Sequence, residues 1–174
     1  MIPTQEELLA QWLPSLKAGA VYQKIGRVNA KRAGESGRIE TLIDGAHETS
    51  NHCSVGDYIV VGPQRERYSL AAHDFSSRYD LLSEQETGDL ELRREGFKSF
   101  EPTGKVWATQ LSAAAVAAHF PDGQLMARWG EPMAVVAGDF IAAPCPAASE
   151  VYRIAGACFS ASYRRVAESN QACR

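Results

Sequence analysis

The stretch Val55-Gly56-Asp57-Tyr58-Ile59-Val60-Val61-Gly62 decides how this chain is interpreted, because a second version of it follows near the C-terminus. The second version reads Ala137-Gly138-Asp139-Phe140-Ile141-Ala142-Ala143. Each version is followed by an aromatic series, which is Tyr68, Phe75 and Tyr79 in the first and Tyr152, Phe159 and Tyr163 in the second. The steps within the series are 7 and 4 residues in both copies. This repetition predicts an internal duplication and therefore two modules of one fold.

Each copy has the pattern of a small antiparallel sheet with short helices. Alternating residues on both sides of Asp44-Gly45 predict a β-hairpin, since both turn positions favour positive φ. Residues 58–61 are apolar on both faces and predict a buried central strand. Residues 104–108 match residues 26–30 in pattern and predict equivalent strands. We predict an α+β protein made of two tandem modules related by a pseudo-two-fold axis.

The predicted modules span residues 21–82 and 98–167. The polar segment 83–97 is interpreted as a linker, residues 1–20 as an N-terminal helical segment and residues 168–174 as a tail. Modules of about 60–70 residues bury little surface alone. We therefore expect a shared interface, filled by Trp12, Trp107 and Trp129, with a ligand groove between the modules.

The N-terminal helix is predicted over residues 4–16. Thr4 and Glu7 have the spacing of a capping box. Apolar side chains recur on one face, at Leu8, Leu9, Trp12, Leu13 and Leu16. Pro14 is expected to end or bend the helix, because proline lacks an amide hydrogen.

Composition sets limits on compartment and partner. The 174 residues are 45% hydrophobic and 22% charged with a net charge of −3, which is typical of a globular protein and disfavours a nucleic-acid duplex or anionic membrane as partner. The first residues lack the basic and apolar regions of a signal peptide, and no apolar run reaches about 18 residues. The four cysteines form no CxxC pair. We therefore expect a cytoplasmic protein with reduced thiols.

The succession of strand, hairpin, Val-Gly-Asp-Tyr strand, Arg-Tyr strand and Phe-x-x-x-Tyr turn resembles the PGDYG-type domain of bacteria and phages. The match covers about residues 22–81 and, with larger departures, residues 98–166. Val55 stands where the family name has Pro, Val60 replaces the second Gly, and Phe140 replaces the tyrosine in the second copy. The resemblance implies the fold, and it implies no settled activity and no catalytic residue.

Candidate ligand-binding residues come from a basic cluster and from the repeated motifs. The cluster contains Lys24, Arg27, Lys31, Arg32 and Arg38, of which we select Arg27, Lys31 and Arg38 as an anion site, with a solvated face as the alternative. Asp57 and Asp139 either accept backbone amides in a turn or face a ligand. Tyr58 and its repeated aromatic partners form either a core or a stacking platform. Arg67 and Arg153, next to the repeated tyrosines, complete the candidate set.

Motifs of familiar catalytic and metal sites are missing from the sequence. The residues His47, His52, Cys53 and His73 fit no zinc spacing, and there is no Gly-rich phosphate loop, GxSxG or HExxH. A nucleophile pair of Cys53 or Cys158 with His73 or His119 would require proximity in the fold. We predict no metal and no cofactor.

We predict a non-catalytic binding or regulatory protein, whose partner is a protein or a small molecule, with a phage–host or defence setting as one context. An enzyme acting on a nucleotide-like or small anionic substrate is the first alternative. An immunity-type or structural interaction protein is the second.

Overall fold

The computed structural model describes residues 1–43, 46–62, 65–166 and 173, with the backbone alone for residues 40–43 and 46–51. The helices in these ranges are α1 (Gln5–Ala18), α2 (Ala72–Arg78), α3 (Leu90–Arg94), α4 (Ala113–His119) and α5 (Gly156–Ser162). The strands are β1 (Val21–Lys24), β2 (Val28–Arg32), β3 (Gly37–Ile43), β4 (Ala46–Cys53), β5 (Tyr58–Val61), β6 (Arg67–Leu70), β7 (Tyr79–Glu86), β8 (Lys98–Pro102), β9 (Lys105–Gln110), β10 (Gln124–Met126), β11 (Pro132–Ala134), β12 (Phe140–Cys145), β13 (Tyr152–Ile154) and β14 (Tyr163–Arg165). The predicted α+β class is confirmed.

The chain folds into two compact units whose limits differ from those of the predicted modules. Unit 1 consists of Met1–Lys24 and Lys105–Arg174, and unit 2 consists of Ile25–Gly104. Strand β1, which the sequence assigned to the first module, therefore belongs to unit 1. Strand β8, which the sequence assigned to the second module, belongs to unit 2. The boundaries at residues 21, 82 and 98 are corrected accordingly.

Unit 2 is built on a five-stranded antiparallel sheet with the order β6-β5-β2-β8-β7. Its core contains the buried side chains of Val28, Ala30, Val60, Phe75, Tyr79 and Phe100. A separate two-stranded sheet pairs β3 with β4, as the hairpin pattern predicts. The predicted turn residues Asp44 and Gly45 lie outside the described residues.

Unit 1 has a five-stranded antiparallel sheet with the order β13-β12-β9-β1-β14 and a separate pair of strands, β10 and β11. When β1 and β8 are left out, the two larger sheets have the same strand connectivity. A central strand (β2 or β9) leads to its neighbour (β5 or β12) and then to one edge (β6 or β13). A seven-residue helix (α2 or α5) then leads to the opposite edge (β7 or β14).

The remaining strand of each sheet comes from the other predicted module. In unit 2 it is β8, which directly precedes β9 along the chain, and in unit 1 it is β1, which directly precedes β2. The first strands of the two predicted modules are therefore exchanged between the two sheets. The duplication and the pseudo-two-fold relation stay predictions.

The segment 83–97, predicted to be a linker, is part of unit 2. It contains the end of β7 and helix α3, which Asp89 caps by accepting the backbone amides of Glu91 and Leu92. Leu92 and Phe97 are fully buried in a cluster with Val61. Most residues of β7 and α3 are exposed, which explains the polar composition of the segment. Its packing depends mainly on the two buried apolar residues.

Helix α1 begins at the predicted capping box, in which Thr4 and Glu7 satisfy each other's backbone amides. It continues through Pro14 to Ala18, beyond the predicted end. We attribute this continuation to packing, because Leu16 lies after the proline and is buried together with Leu8 in the core of unit 1. Tertiary burial commonly outweighs the local cost of a proline.

The three tryptophans do not share one environment. Trp12 stacks on Phe120 with ring centroids 5.9 Å apart, and Trp107 is buried in the same core of unit 1. Trp129 is 45% exposed. The shared interface predicted for the tryptophans stays a prediction.

Cysteine pairing also departs from expectation. Cys145 and Cys173 form a disulfide with their Cα atoms 5.6 Å apart, within the normal range for such bridges. Cys53 and Cys158 are buried free thiols. The expectation of four reduced thiols is replaced by one bridge, and the other residues of the predicted tail, 168–172 and 174, lie outside the described residues. No helix in the described ranges combines the length and apolar character needed to cross a membrane.

Candidate functional site

The two Gly-Asp motifs form the same turn in both units. Gly56 and Gly138 have φ values of +88° and +93°, a left-handed conformation that favours glycine. The Gly56 amide donates to the Ala33 carbonyl at 3.0 Å, and the Gly138 amide donates to the Leu111 carbonyl at 2.8 Å. The glycines therefore recur because each turn requires this backbone conformation at the start of a sheet strand.

The aspartates of the motifs close their own turns. Oδ2 of Asp57 accepts the Ser54 amide at 2.8 Å, and Oδ2 of Asp139 accepts the Val136 amide at 2.9 Å. This is the turn chemistry that the sequence offered as one of two interpretations. In both units the carboxylate has a structural partner.

The carboxylate in unit 1 has a second, charged partner. Nε of Arg153 donates to Oδ2 of Asp139 at 2.7 Å, and the Gly156 amide approaches Oδ1 at 3.4 Å. The Asp139 residue is 3% exposed. The sequence selected Asp139 and Arg153 separately, and the structure brings them together as a buried ion pair.

Burial acts on both members of this pair. It raises the pKa of Asp139, although hydrogen bonds from the Val136 and Gly156 amides act in the opposite direction. It lowers the pKa of Arg153 to about 10. Because this value is still well above neutral pH and the guanidinium is 2.7 Å from the carboxylate, we assign the charged form to both side chains.

Among the described side chains of unit 2, no such pair is found at the corresponding turn. Ser69 stands opposite Ile59 in the β5–β6 register, as Arg153 stands opposite Ile141 in the β12–β13 register. The Ser69 hydroxyl donates to the His52 carbonyl at 3.4 Å. Asp57 is partly exposed, whereas Asp139 is buried. The aspartate of the turn is therefore more accessible in unit 2 than in unit 1.

The repeated aromatic residues form a stacked column in each unit. In unit 2, Tyr58 stacks on Phe75 at 3.9 Å, and Phe75 stacks on Tyr79 at 4.6 Å. In unit 1, the corresponding centroid distances are 3.8 and 4.8 Å for the series Phe140, Phe159 and Tyr163. Contacts between aromatic rings contribute to core stability beyond the area that they bury. Of the two interpretations of the aromatic series, the structure supports the core role.

Arg32 lies at one end of the unit 2 column and was not selected from the sequence. Its guanidinium carbon is 5.4 Å from the centroid of Tyr58, within range of a cation–π contact, and the residue is exposed. Arg32 faces Tyr58 in the β2–β5 register, which is the signal that could have identified it. Gln110 faces Phe140 in unit 1, so the cation has no counterpart there.

The selected basic residues differ in their contacts within the described part of the chain. Arg27 donates through Nε to the Ser99 hydroxyl at 2.8 Å and through Nη1 to Glu101 at 2.9 Å. Arg38 is exposed on β3, opposite His52. The anion site predicted from Arg27, Lys31 and Arg38 stays a prediction.

Lys31 and Arg67 contribute to a different cluster in unit 2. Lys31 donates to the Glu95 carbonyl at 2.9 Å, and Arg67 donates to both carboxylate oxygens of Glu95 at 2.9 Å. The Lys31 ammonium and the Arg67 guanidinium lie 4.6 and 5.3 Å from the Phe97 ring centroid. The Arg67 hydrogen bonds lower the pKa of Glu95 and raise that of Arg67. These side chains attach the segment after α3 to the sheet.

The metal and nucleophile candidates have the following surroundings in the described part of the chain. Within it, no group of three or more His, Cys, Asp or Glu side chains is placed to hold a metal ion. His119 contacts Gln11 and the Trp12 ring, and His73 lies 3.7 Å from Asp74. Burial raises the pKa of Cys53, with a smaller contribution from the Asp57 charge, and this disfavours its thiolate.

Comparisons with protein-family models, curated proteins and solved structures find no match for this chain. The resemblance to the PGDYG-type domain therefore stays a prediction based on its sequence motifs. Function has to be argued from the residues themselves.

Proposed function

We propose that the protein is a non-catalytic binding or regulatory protein that recognises its partner through its surface. The supporting observation is that several of the charged side chains selected from the sequence are bound inside their own units. Arg27, Arg67 and Arg153 each bind a carboxylate, and Asp139 binds a guanidinium and backbone amides. A catalytic acid, base or nucleophile has to reach substrate, whereas these groups are committed to the fold.

Repetition of the Gly-Asp turn supports the same proposal. The same turn and aromatic column occur in both units with nearly equal geometry, although the surrounding side chains differ. Features that recur in this way are explained by the needs of the sheet, without a reaction. The resemblance to the PGDYG-type domain and the phage–host or defence setting belong to this proposal, and the quoted motifs support them.

The test combines a ligand screen with partner identification. Thermal unfolding of the full chain is measured with nucleotides, sugar phosphates, amino acids and divalent metal ions, and each mixture is analysed by chromatography for turnover. We expect no turnover, and we expect a purified protein, first identified by cross-linking in the source cells, to bind at about micromolar affinity or better. A small molecule that stabilises the chain and is consumed would overturn the proposal.

A small anionic ligand is the second candidate, and the position of Arg32 favours it. An exposed guanidinium that rests on the Tyr58 ring is preorganised to bind a planar anion. The test takes an anion that stabilises the wild-type chain and measures its binding to the Arg32→Gln variant. Arg94→Gln, at an exposed arginine on α3, is the control. A loss in the first variant alone supports this candidate, and equal binding by both excludes Arg32 as its site.

A cytoplasmic location is part of the proposal and is opposed by one observation. The Cys145–Cys173 bridge is a feature of oxidising compartments, since cytosolic thiols are normally kept reduced. The state of this bridge in the source cells therefore tests the location.

A further inference from the structure

Two leucines of unit 2 lie at the surface in edge strand β7. Leu82 is 96% exposed and Leu81 is 43% exposed. They occupy the irregular part of the β7–β8 pairing, where the register shifts between Asp80 and Gln85. We call residues 80–84 the Leu81–Leu82 turn. Neither leucine is among the buried side chains of the unit 2 core, and Leu82 is almost fully exposed.

Hydrogen bonds define the conformation of the Leu81–Leu82 turn. The Leu82 amide donates to Oδ1 of Asp80 at 2.9 Å, and the Ser83 hydroxyl donates to the Asp80 carbonyl at 2.6 Å. The Ser83 hydroxyl also accepts the Glu101 amide at 2.8 Å, which attaches the turn to β8. The turn is therefore held by polar contacts that leave the Leu82 side chain, and part of the Leu81 side chain, accessible to a partner.

Arg27 supports the same turn from the sheet. Its Nη2 atom donates to the carbonyl of Ser83 and, at 3.0 Å, to the carbonyl of Ser99. Its Nε and Nη1 atoms bind the Ser99 hydroxyl and Glu101. A turn ordered before binding loses less conformational entropy when a partner contacts it.

The charges along β7 have one sign. Asp80, Glu84 and Glu86 are its charged residues at neutral pH, and the strand contains no lysine or arginine. Glu86 is paired with Lys98 and Arg93, so the charge argument depends on Asp80 and Glu84. Asp80 and Glu84 are exposed on the two sides of the leucines in sequence. Acidic side chains on an edge strand disfavour pairing with a second copy of the same strand. They favour a partner of opposite charge.

We propose that the Leu81–Leu82 turn is a docking site for a protein partner whose apolar face is bordered by lysine and arginine side chains. The proposal deepens the proposed binding function and rests on it. The leucines supply the apolar contact, and the carboxylates of Asp80 and Glu84 select the charge of the partner. A membrane surface is disfavoured because an anionic bilayer would face these carboxylates.

The test uses the full chain and a fluorescent helical peptide with a leucine face bordered by lysines. A peptide of the same pattern with glutamates in place of lysines is the charge control. We expect the lysine peptide to bind the wild type and to bind Leu81→Ser/Leu82→Ser about tenfold more weakly, as for loss of one or two buried leucine contacts. Glu84→Gln is expected to weaken binding about two- to threefold in low salt and to reduce its salt dependence.

Leu90→Ser is the matched control variant, because Leu90 is 64% exposed in the same unit and begins helix α3. It should bind the lysine peptide within about twofold of the wild type, an effect below 0.5 kcal/mol. Equal weakening by Leu90→Ser, equal binding of the glutamate peptide, or no binding of the lysine peptide would each overturn the docking site. Circular dichroism and thermal unfolding establish that the variants are folded.

The same variants separate this proposal from the proposed function. A purified cellular partner that binds Leu81→Ser/Leu82→Ser as tightly as the wild type overturns the docking site and leaves the binding function intact. Turnover of a small molecule by the wild type overturns the binding function itself.

Discussion

Tyr22 packs edge-on against Phe159 in unit 1, with ring centroids 4.9 Å apart and an interplanar angle of 74°. Phe100 makes the same contact with Phe75 in unit 2, at 5.2 Å and 86°. Tyr22 lies in β1 and Phe100 in β8, the two strands that are exchanged between the predicted modules. Each aromatic column is therefore completed by a ring from the other half of the sequence.

The exchange predicts which fragment of the chain folds alone. Residues 25–104 contain all five strands of the larger unit 2 sheet, whereas residues 21–82 lack β8 and with it Phe100 and the buried Phe97. We expect fragment 25–104 to fold and fragment 21–82 to be largely unfolded, because without β8 the edge strand β7 loses its partner in the sheet and β2 loses one of its two partners. Far-UV circular dichroism and the dispersion of amide proton resonances provide the measurement. A cooperatively folded 21–82 fragment would contradict the strand assignment.

The two Gly-Asp turns should respond differently to the same substitution. Asp139→Asn is expected to lower the unfolding free energy by about 3 kcal/mol or more, because it leaves the Arg153 guanidinium buried without its counter-charge. Asp57→Asn should cost at most about 1 kcal/mol, since an asparagine oxygen still accepts the Ser54 amide. Urea unfolding of both variants measures the difference. Equal losses would show that the Asp139–Arg153 pair adds nothing to the turn.

The disulfide predicts the number of reactive thiols. Alkylation of the unfolded, unreduced chain should modify two cysteines, Cys53 and Cys158, and Cys173→Ser should raise the number to three. Reduction should lower the unfolding free energy by about 3 kcal/mol, as expected for closing a loop with a sequence separation of 28. Mass spectrometry counts the modified thiols. Four modifications without reductant, in protein taken directly from its source cells, would favour the cytoplasmic location instead.

Acid should weaken the ion pairs that hold α3. Hydrogen bonds from Arg67 and Arg65 lower the pKa values of Glu95 and Asp89. A carboxylate whose pKa is lowered by folding adds stability above its unfolded pKa, and that stability is lost as the pH falls through the folded value. We expect the urea midpoint to be flat from pH 7 to about pH 5 and to decrease below about pH 4.5.

Glu95→Gln is the diagnostic variant for this pH dependence. It should reduce the acid-induced decrease of the urea midpoint, because the glutamine cannot be protonated in this range. Glu35→Gln, at an exposed residue, serves as the control and should follow the wild type. An unchanged pH profile for Glu95→Gln would assign the acid sensitivity to other groups.

Local sequence patterns predicted much of the secondary structure. The capping box of α1, the hairpin strands and the Gly-Asp turns all depend on residues close together in the chain. Their energetics are decided over a few residues, so composition and spacing are sufficient to find them. The segment 83–97 was misinterpreted because the burial of Leu92 and Phe97 depends on contacts with a distant strand.

The candidate residues were identified more reliably than their roles. Arg27, Arg67 and Arg153 were selected as ligand-binding because charge is visible in sequence, while their carboxylate partners lie 74, 28 and 14 residues away. Arg32 was passed over because its relation to Tyr58 depends on strand register.

The sequence by itself determined the α+β class, the recurrence of the Gly-Asp turn and the aromatic residues of each core. Only the tertiary structure decided that β1 completes the sheet of unit 1 and β8 that of unit 2. It also decided that Asp139 pairs with Arg153 and that Leu82 is left at the surface. The physical reason is that turns and helix caps are local equilibria. Strand exchange, ion pairing and exposure depend instead on which distant segments are close once the chain is packed.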